Sequence, residues 1–151
     1  ALALSWFRIF PLLMLWFITS AIVSFYNESE SIQVLREGNK YPKEFLREKL
    51  TRHSKYILIL YTPVVIINAL FNYEYWIINC LFIPTQLALL CLAVCMKYSN
   101  YKPNETSLSN NIILSIASLF SVIPYCLPIL LIMIVNYFNK AENNLKQYLN
   151  D

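Results

Sequence analysis

The sequence predicts an all-α, polytopic integral membrane protein, with about four membrane segments and one cytoplasmic amphipathic helical loop. Three observations predict it. Hydrophobic residues make up 58% of the 151 and charged residues only 14%, against about 25% charged in ordinary globular domains. The apolar residues fall in long blocks, not in the short periodic runs of a soluble core. Seven of the twelve Lys and Arg sit in one loop, as Arg36, Lys40, Lys43, Arg47, Lys49, Arg52 and Lys55. Cations clustered beside an apolar block mark a cytoplasmic loop. A nucleic-acid surface would instead spread a basic stripe over a folded domain, so no nucleic acid is expected as a partner. The whole chain reads as one helical membrane domain.

The first block, residues 9–26, reads IFPLLMLWFITSAIVSFY. As a helix it spans ~27 Å and exceeds the apolar core of a signal peptide, so it is expected to stay as a span. Arg8 and the aromatics Trp6, Phe25 and Tyr26 flank it at interfacial positions. The charged loop 27–55 follows. Asn27 and Glu30 have capping-box spacing, Gly38 stands where a left-handed residue would stop a short helix, and Pro42 suits the first turn of the next one. In that second helix Phe45, Leu46 and Leu50 form a narrow apolar stripe with Lys49 beside it. Lys40 with Glu44, and Glu48 with Arg52, are i, i+4 pairs of opposite charge. The helix is expected to run unbroken into the second block, 56–71, where Pro63 should kink it.

NYEYW makes a tight aromatic turn into the third block, 76–96, which contains Pro84. Blocks two and three therefore form a helical hairpin. After a polar loop comes block four, 112–138, with the spacing Pro124-x-x-x-Pro128. At ~40 Å it is either one tilted, kinked span or two half-helices that enter and return. A single kinked span is the expectation. The tail after it is polar and helical. With four spans, nine Lys and Arg lie on the side of the charged loop and three opposite; with a returning pair the ratio becomes eleven to one. Asn27-Glu-Ser and Asn104-Glu-Thr match glycosylation acceptors, but the basic residues place both on the cytoplasmic side.

Little in the chain suits catalysis. One glycine in 151 residues excludes a Walker-type phosphate loop and a dinucleotide fingerprint, which need backbone close to phosphate. No enzyme activity and no cofactor are expected, and any ATP hydrolysis belongs to another chain. His53, the only histidine, has no evident orienting carboxylate and reads as interfacial. Cys80, Cys91, Cys95 and Cys126 lack metal or redox spacing and read as small apolar residues. No metal site is expected. The polar residues within spans are Thr19, Ser20, Thr62, Asn68, Asn79, Thr85 and Gln86. Asn79 and Gln86, seven apart, share a helix face. With Asn68 they either line an intramembrane polar path or hold helices together. Without GxxxG contacts, packing must rest on Ala, Ser and Cys.

The stretch NESESIQVLREGNKYPKEFLREKL resembles the first cytoplasmic loop of ATP-binding-cassette type-2 exporter permeases. The resembling residues are Glu28, Glu30, Leu35, Pro42, Lys43, Glu44, Phe45, Leu46, Lys49 and Leu50, within a match over 27–71. Glu48 departs from the glycine common there, and the family usually has six spans. The resemblance implies a coupling helix. Lys43, Phe45, Leu46, Lys49 and Leu50 would contact a separate ATPase subunit and pass its motion to the spans. It also implies a bacterial cytoplasmic (inner) membrane location, with loop 27–55 cytoplasmic, and either a homodimer or other integral subunits as partners. The same stripe suits anchoring at an anionic leaflet. An accessory, non-catalytic subunit of a larger membrane complex is the second expectation.

Overall fold

The computed structural model of the chain describes residues 9–27, 41–102 and 108–149. Among these, 92% are helical and there is no strand. The Asn27–Glu30 capping box, the first helix of the charged loop with its Gly38 stop, the Lys40–Glu44 pair and the Asn104 sequon lie outside the described residues.

Helix α1 is Phe10–Ser24, continued by a 3₁₀ turn, Phe25–Asn27. It is apolar nearly all round, with Pro11 tolerated at its start because the first N–H groups of a helix have no internal acceptor. Helix α2, Pro42–Phe71, is a single 30-residue helix, so the amphipathic segment does run into the second block without a break. Tyr41 is extended, as a residue before proline must be, and Pro42 opens the first turn. Phe45 N–H donates to the Tyr41 carbonyl at 3.0 Å. Pro63 lies inside the helix without ending it. A 3₁₀ turn, Tyr73–Tyr75, leads directly into α3, Trp76–Ser99. This is the expected hairpin.

Block four differs from the expectation. It is not one kinked helix. Helix α4, Leu108–Phe120, ends before a 3₁₀ turn, Pro124–Cys126, and helix α5, Leu127–Leu149, comes after it. The hydrogen bonds show the direction of each. At the start of α4, Asn110 Nδ2 donates to the Met96 carbonyl at 2.9 Å. Past its end, the Ser121 carbonyl accepts from Gln86 Nε2 at 3.2 Å. Far along α5, Asn144 Nδ2 reaches the carbonyls of Tyr98 and Tyr101. So α4 descends along α3 from residue 96 to 86, the chain reverses, and α5 returns to the end it came from. Proline explains the break: Pro124 lacks an N–H and Ile123 before it is extended. Pro128 then sits in the first turn of α5, where no N–H is required.

Helix α3 is the axis of the molecule, and its contact with α5 is the most extensive between any two helices. Small residues allow that approach: Ala88, Ala93 and Cys95 of α3 and Ala141 of α5 are buried, and without GxxxG contacts helix packing rests on such residues. One apolar cluster joins α1, α3, α4 and α5 through Val23, Leu89, Leu92, Met96, Leu114 and Leu130. A second joins α1, α2 and α3 through Leu12, Leu15, Ile57, Tyr61, Val64 and Phe82.

The outward surface is also apolar. Ile59, Ile66, Leu70 and Phe71 on α2, Trp76 on α3, and Ile132 and Val135 on α5 are all more than half exposed. Apolar exposure on this scale is what a bilayer covers and water does not tolerate. Among the described residues two helical segments, Pro42–Phe71 and Tyr73–Ser99, are long and apolar enough to cross a membrane; Phe10–Ser24 and Asn110–Phe120 are apolar but shorter.

Candidate functional site

Two regions gather the residues singled out by sequence. The first is the charged end of α2. There Leu46 is fully buried against Val94, Tyr98 and Tyr101 near the end of α3 and against Ala141 and Leu145 of α5, with Phe45 and Leu50 packed on the same cluster. The stripe expected to meet an ATPase or a lipid surface is therefore occupied within the chain. Aromatic edges knit this end together. Phe45 meets Tyr98 at 5.4 Å between ring centroids, and Tyr101 meets Tyr148 at 5.3 Å. Lys49 Nζ lies 5.4 Å above the Phe45 ring, and Lys97 Nζ lies between the Tyr26 and Tyr98 rings at 5.8 and 5.7 Å. These cation–ring contacts seat the ammonium groups where apolar helices meet the charged end. His53 packs edge-on to Tyr26 at 5.3 Å.

The opposite face of this segment carries exposed Lys43, Glu44, Arg47, Thr51, Arg52 and Lys55. The last five, with half-buried Glu48, line an open groove. Glu48 and Arg52 form the expected i, i+4 ion pair at 2.9 Å, worth ~0.2–0.5 kcal/mol at such an exposed site. Among the predicted coupling residues, only Lys43 thus belongs to the outer face.

The second region is polar and lies within the apolar band. Asn68 and Asn79 meet each other. Asn68 Nδ2 donates to Asn79 Oδ1 at 2.8 Å, and Asn79 Nδ2 to the Tyr75 carbonyl at 3.3 Å. Both side chains are buried, and they pin α2 to α3 beside the 73–75 turn. A second clasp joins α1 and α2. The hydroxyls of Thr19 and Tyr61 lie 2.7 Å apart, and each also reaches the Leu15 carbonyl at 3.0 Å. Two protons serve three contacts there.

Gln86 is separate from the asparagine pair. It is fully buried at the reversal between α4 and α5, where its Nε2 satisfies the Ser121 carbonyl and its Oε1 has no hydrogen-bond partner among the described residues. Trp16 of α1 closes over the same turn. Its indole N–H is shared between the Ser118 carbonyl at 2.9 Å and Ser121 Oγ at 3.1 Å. Next to it, between α1 and α4, lies a cleft of 130 Å³ lined by Ser20, Val23, Ser24, Asn111, Leu114, Ser115 and Ser118. Sequence reasoning named Ser20 and Gln86 here but missed the α4 wall. The signal was present: Asn111, Ser115, Ser118 and Ser121 recur at spacings of four, three and three, one face of a helix.

Comparison with protein-family models, with curated proteins and with solved structures finds no match for this chain.

Proposed function

We propose that this chain is an integral membrane, permease-like subunit of a transporter driven by a separate ATPase chain. In this reading α2 and α3 cross the bilayer, α1 crosses as a shorter third span, and α4 and α5 enter and return. The observation that carries it is the reversal at residues 121–126, set beside buried Gln86 and a polar cleft. Within a bilayer, non-helical backbone persists only where protein buries it or a hydrated cavity adjoins it. Broken half-helices near the midplane are a recurrent way to build a transport path. Returning helices also place eleven of the twelve Lys and Arg on the side of loop 27–55, which favours a cytoplasmic location for that end in a bacterial inner membrane.

The buried stripe changes how coupling would work. Phe45, Leu46 and Leu50 tie the charged end of α2 to α3 and α5. A partner pressing on the outer face would then move three helices together. The docking surface becomes Lys43, Glu44 and Arg47, and the contact becomes electrostatic. A second reading, an accessory subunit of a larger membrane complex, is favoured by the same burial, because the sticky face is already filled.

Purification from mild detergent with identification of bound proteins separates these readings. An ATPase retained by the parent protein and lost in the double variant Lys43→Glu, Arg47→Glu supports the coupled permease. Integral partners without an ATPase, unaffected by that variant, support the accessory subunit and overturn the first reading. Leu46→Asp is unsuitable as the probe, because a buried unpaired carboxylate would unsettle the fold itself.

A further inference from the structure

The cleft between α1 and α4 is lined by uncharged hydrogen-bonding groups, acceptors for the most part. Ser24, Ser115 and Ser118 each donate their hydroxyl proton to a backbone carbonyl of their own helix, at 2.7, 2.8 and 2.8 Å. Their oxygen lone pairs remain available to the cleft. Ser20 Oγ and Asn111 Oδ1 are buried atoms with no hydrogen-bond partner among the described residues. No charged side chain lines the cleft among the described residues. A buried polar atom left unpaired costs about 1–3 kcal/mol, and two beside one cleft, a hydroxyl and an amide oxygen, point to an occupant that forms hydrogen bonds. A bare ion would find no counter-charge and would carry its full desolvation cost.

The cleft runs from the charged end inward. Ser24 and Asn111 lie near the charged end, close to Tyr26 and to Asn110, which is bonded to the Met96 carbonyl. Ser20 and Ser115 come one turn inward, and Ser118 one turn further. Trp16 then spans the cleft floor by its bonds to Ser118 and Ser121. Beyond that indole is Gln86 with its unpaired Oε1. The volume of 130 Å³ suits about four waters at ~30 Å³ each, or one small polyol or amide.

We propose that this seam is a hydrated half-channel for small uncharged hydrogen-bonding solutes, open at the basic end and closed inward by Trp16. This rests on the permease reading and gives it a substrate class: neutral, polar and small. Ser20, Asn111, Ser115 and Ser118 bind the solute, and Trp16 is a positioning residue that holds the inner end shut.

Thiol accessibility in proteoliposomes tests it. Single variants Ser20→Cys, Ser115→Cys and Ser121→Cys, and the apolar-surface control Leu119→Cys, are treated with two water-soluble methanethiosulfonates, one uncharged (hydroxyethyl) and one cationic (trimethylammonium). Labelling is read above that of the parent chain, whose native cysteines are retained. Ser20→Cys and Ser115→Cys should react several-fold faster than Leu119→Cys, and the uncharged reagent should be favoured. Ser121→Cys should react only when combined with Trp16→Phe, which keeps a ring and loses the N–H. Rates at positions 20 and 115 no higher than at 119 overturn the hydrated seam. Equal rates at 121 with and without Trp16→Phe overturn the gate. A faster cationic reagent overturns the neutral-solute class. Labelling needs no ATPase, so loss of the coupled-permease reading leaves these outcomes unchanged.

Discussion

At the scale of single residues, amides do most of the positioning. Asn68 and Asn79 share one short bond across α2 and α3, and Gln86 donates to the buried Ser121 carbonyl at the α4–α5 reversal. Polar bonds between membrane helices average ~0.6 kcal/mol and reach ~1.7 kcal/mol. A double-mutant cycle with Asn68→Leu and Asn79→Leu should therefore give a coupling energy in that range, read from unfolding in mixed micelles. Additive effects would show that the pair does not act as a clasp. The sequence places Asn79 and Gln86 on one helix face but does not tell which is glue and which adjoins a path. That depends on which residue each meets across the hairpin. The short 73–75 turn sets the register and makes Asn79 face Asn68, while the α4–α5 turn arrives at Gln86.

At the scale of elements, the reversal of block four is the decisive feature. Gln86→Leu removes the donor to the Ser121 carbonyl and should cost about 1–3 kcal/mol, seen as a lower midpoint in detergent thermal denaturation. Gln86→Met, of similar length and with no donor, should cost about as much, whereas Gln86→His, with one donor, should recover part of the loss. Equal midpoints for all three variants and the parent would mean that Gln86 does not support the turn. Two prolines four apart announce a disturbance in the helix. They do not announce its angle, because hydropathy and periodicity measure length and face, not direction. The amphipathic stripe of α2 was legible for the same reason: Phe45, Leu46 and Leu50 had to face something apolar. Its partner was not legible, since Val94, Tyr98, Ala141 and Leu145 reach it from helices far along the chain.

At the scale of the molecule, the charge distribution and the returning helices make one prediction together. Lys102→Cys and Lys146→Cys should both be labelled by an impermeant reagent from the same side as Lys43→Cys, and Glu74→Cys from the opposite side. Opposite labelling of Lys102→Cys and Lys146→Cys would restore a fourth full span. The all-helical class and the apolar candidate spans were legible from composition and blocks, because 58% hydrophobic residues in long runs form helices that are apolar nearly all round. The number of spans was less legible. Only two helical segments among the described residues are long enough to cross by themselves, and the rest of the apolar sequence is accounted for by a shorter helix and a helical pair that turns back.

The tight turn at Tyr73–Tyr75 has a consequence for how this protein meets its surroundings. The described hairpin offers only a few residues at that end, with Glu74 their single charge. The other end carries the ion pairs, the aromatic–cation contacts and the mouth of the serine-lined seam. On the proposed topology a soluble protein approaching from outside the cell finds a small aromatic knuckle with almost nothing to grip. An antibody raised against the described residues would bind intact cells poorly and inverted membrane vesicles well.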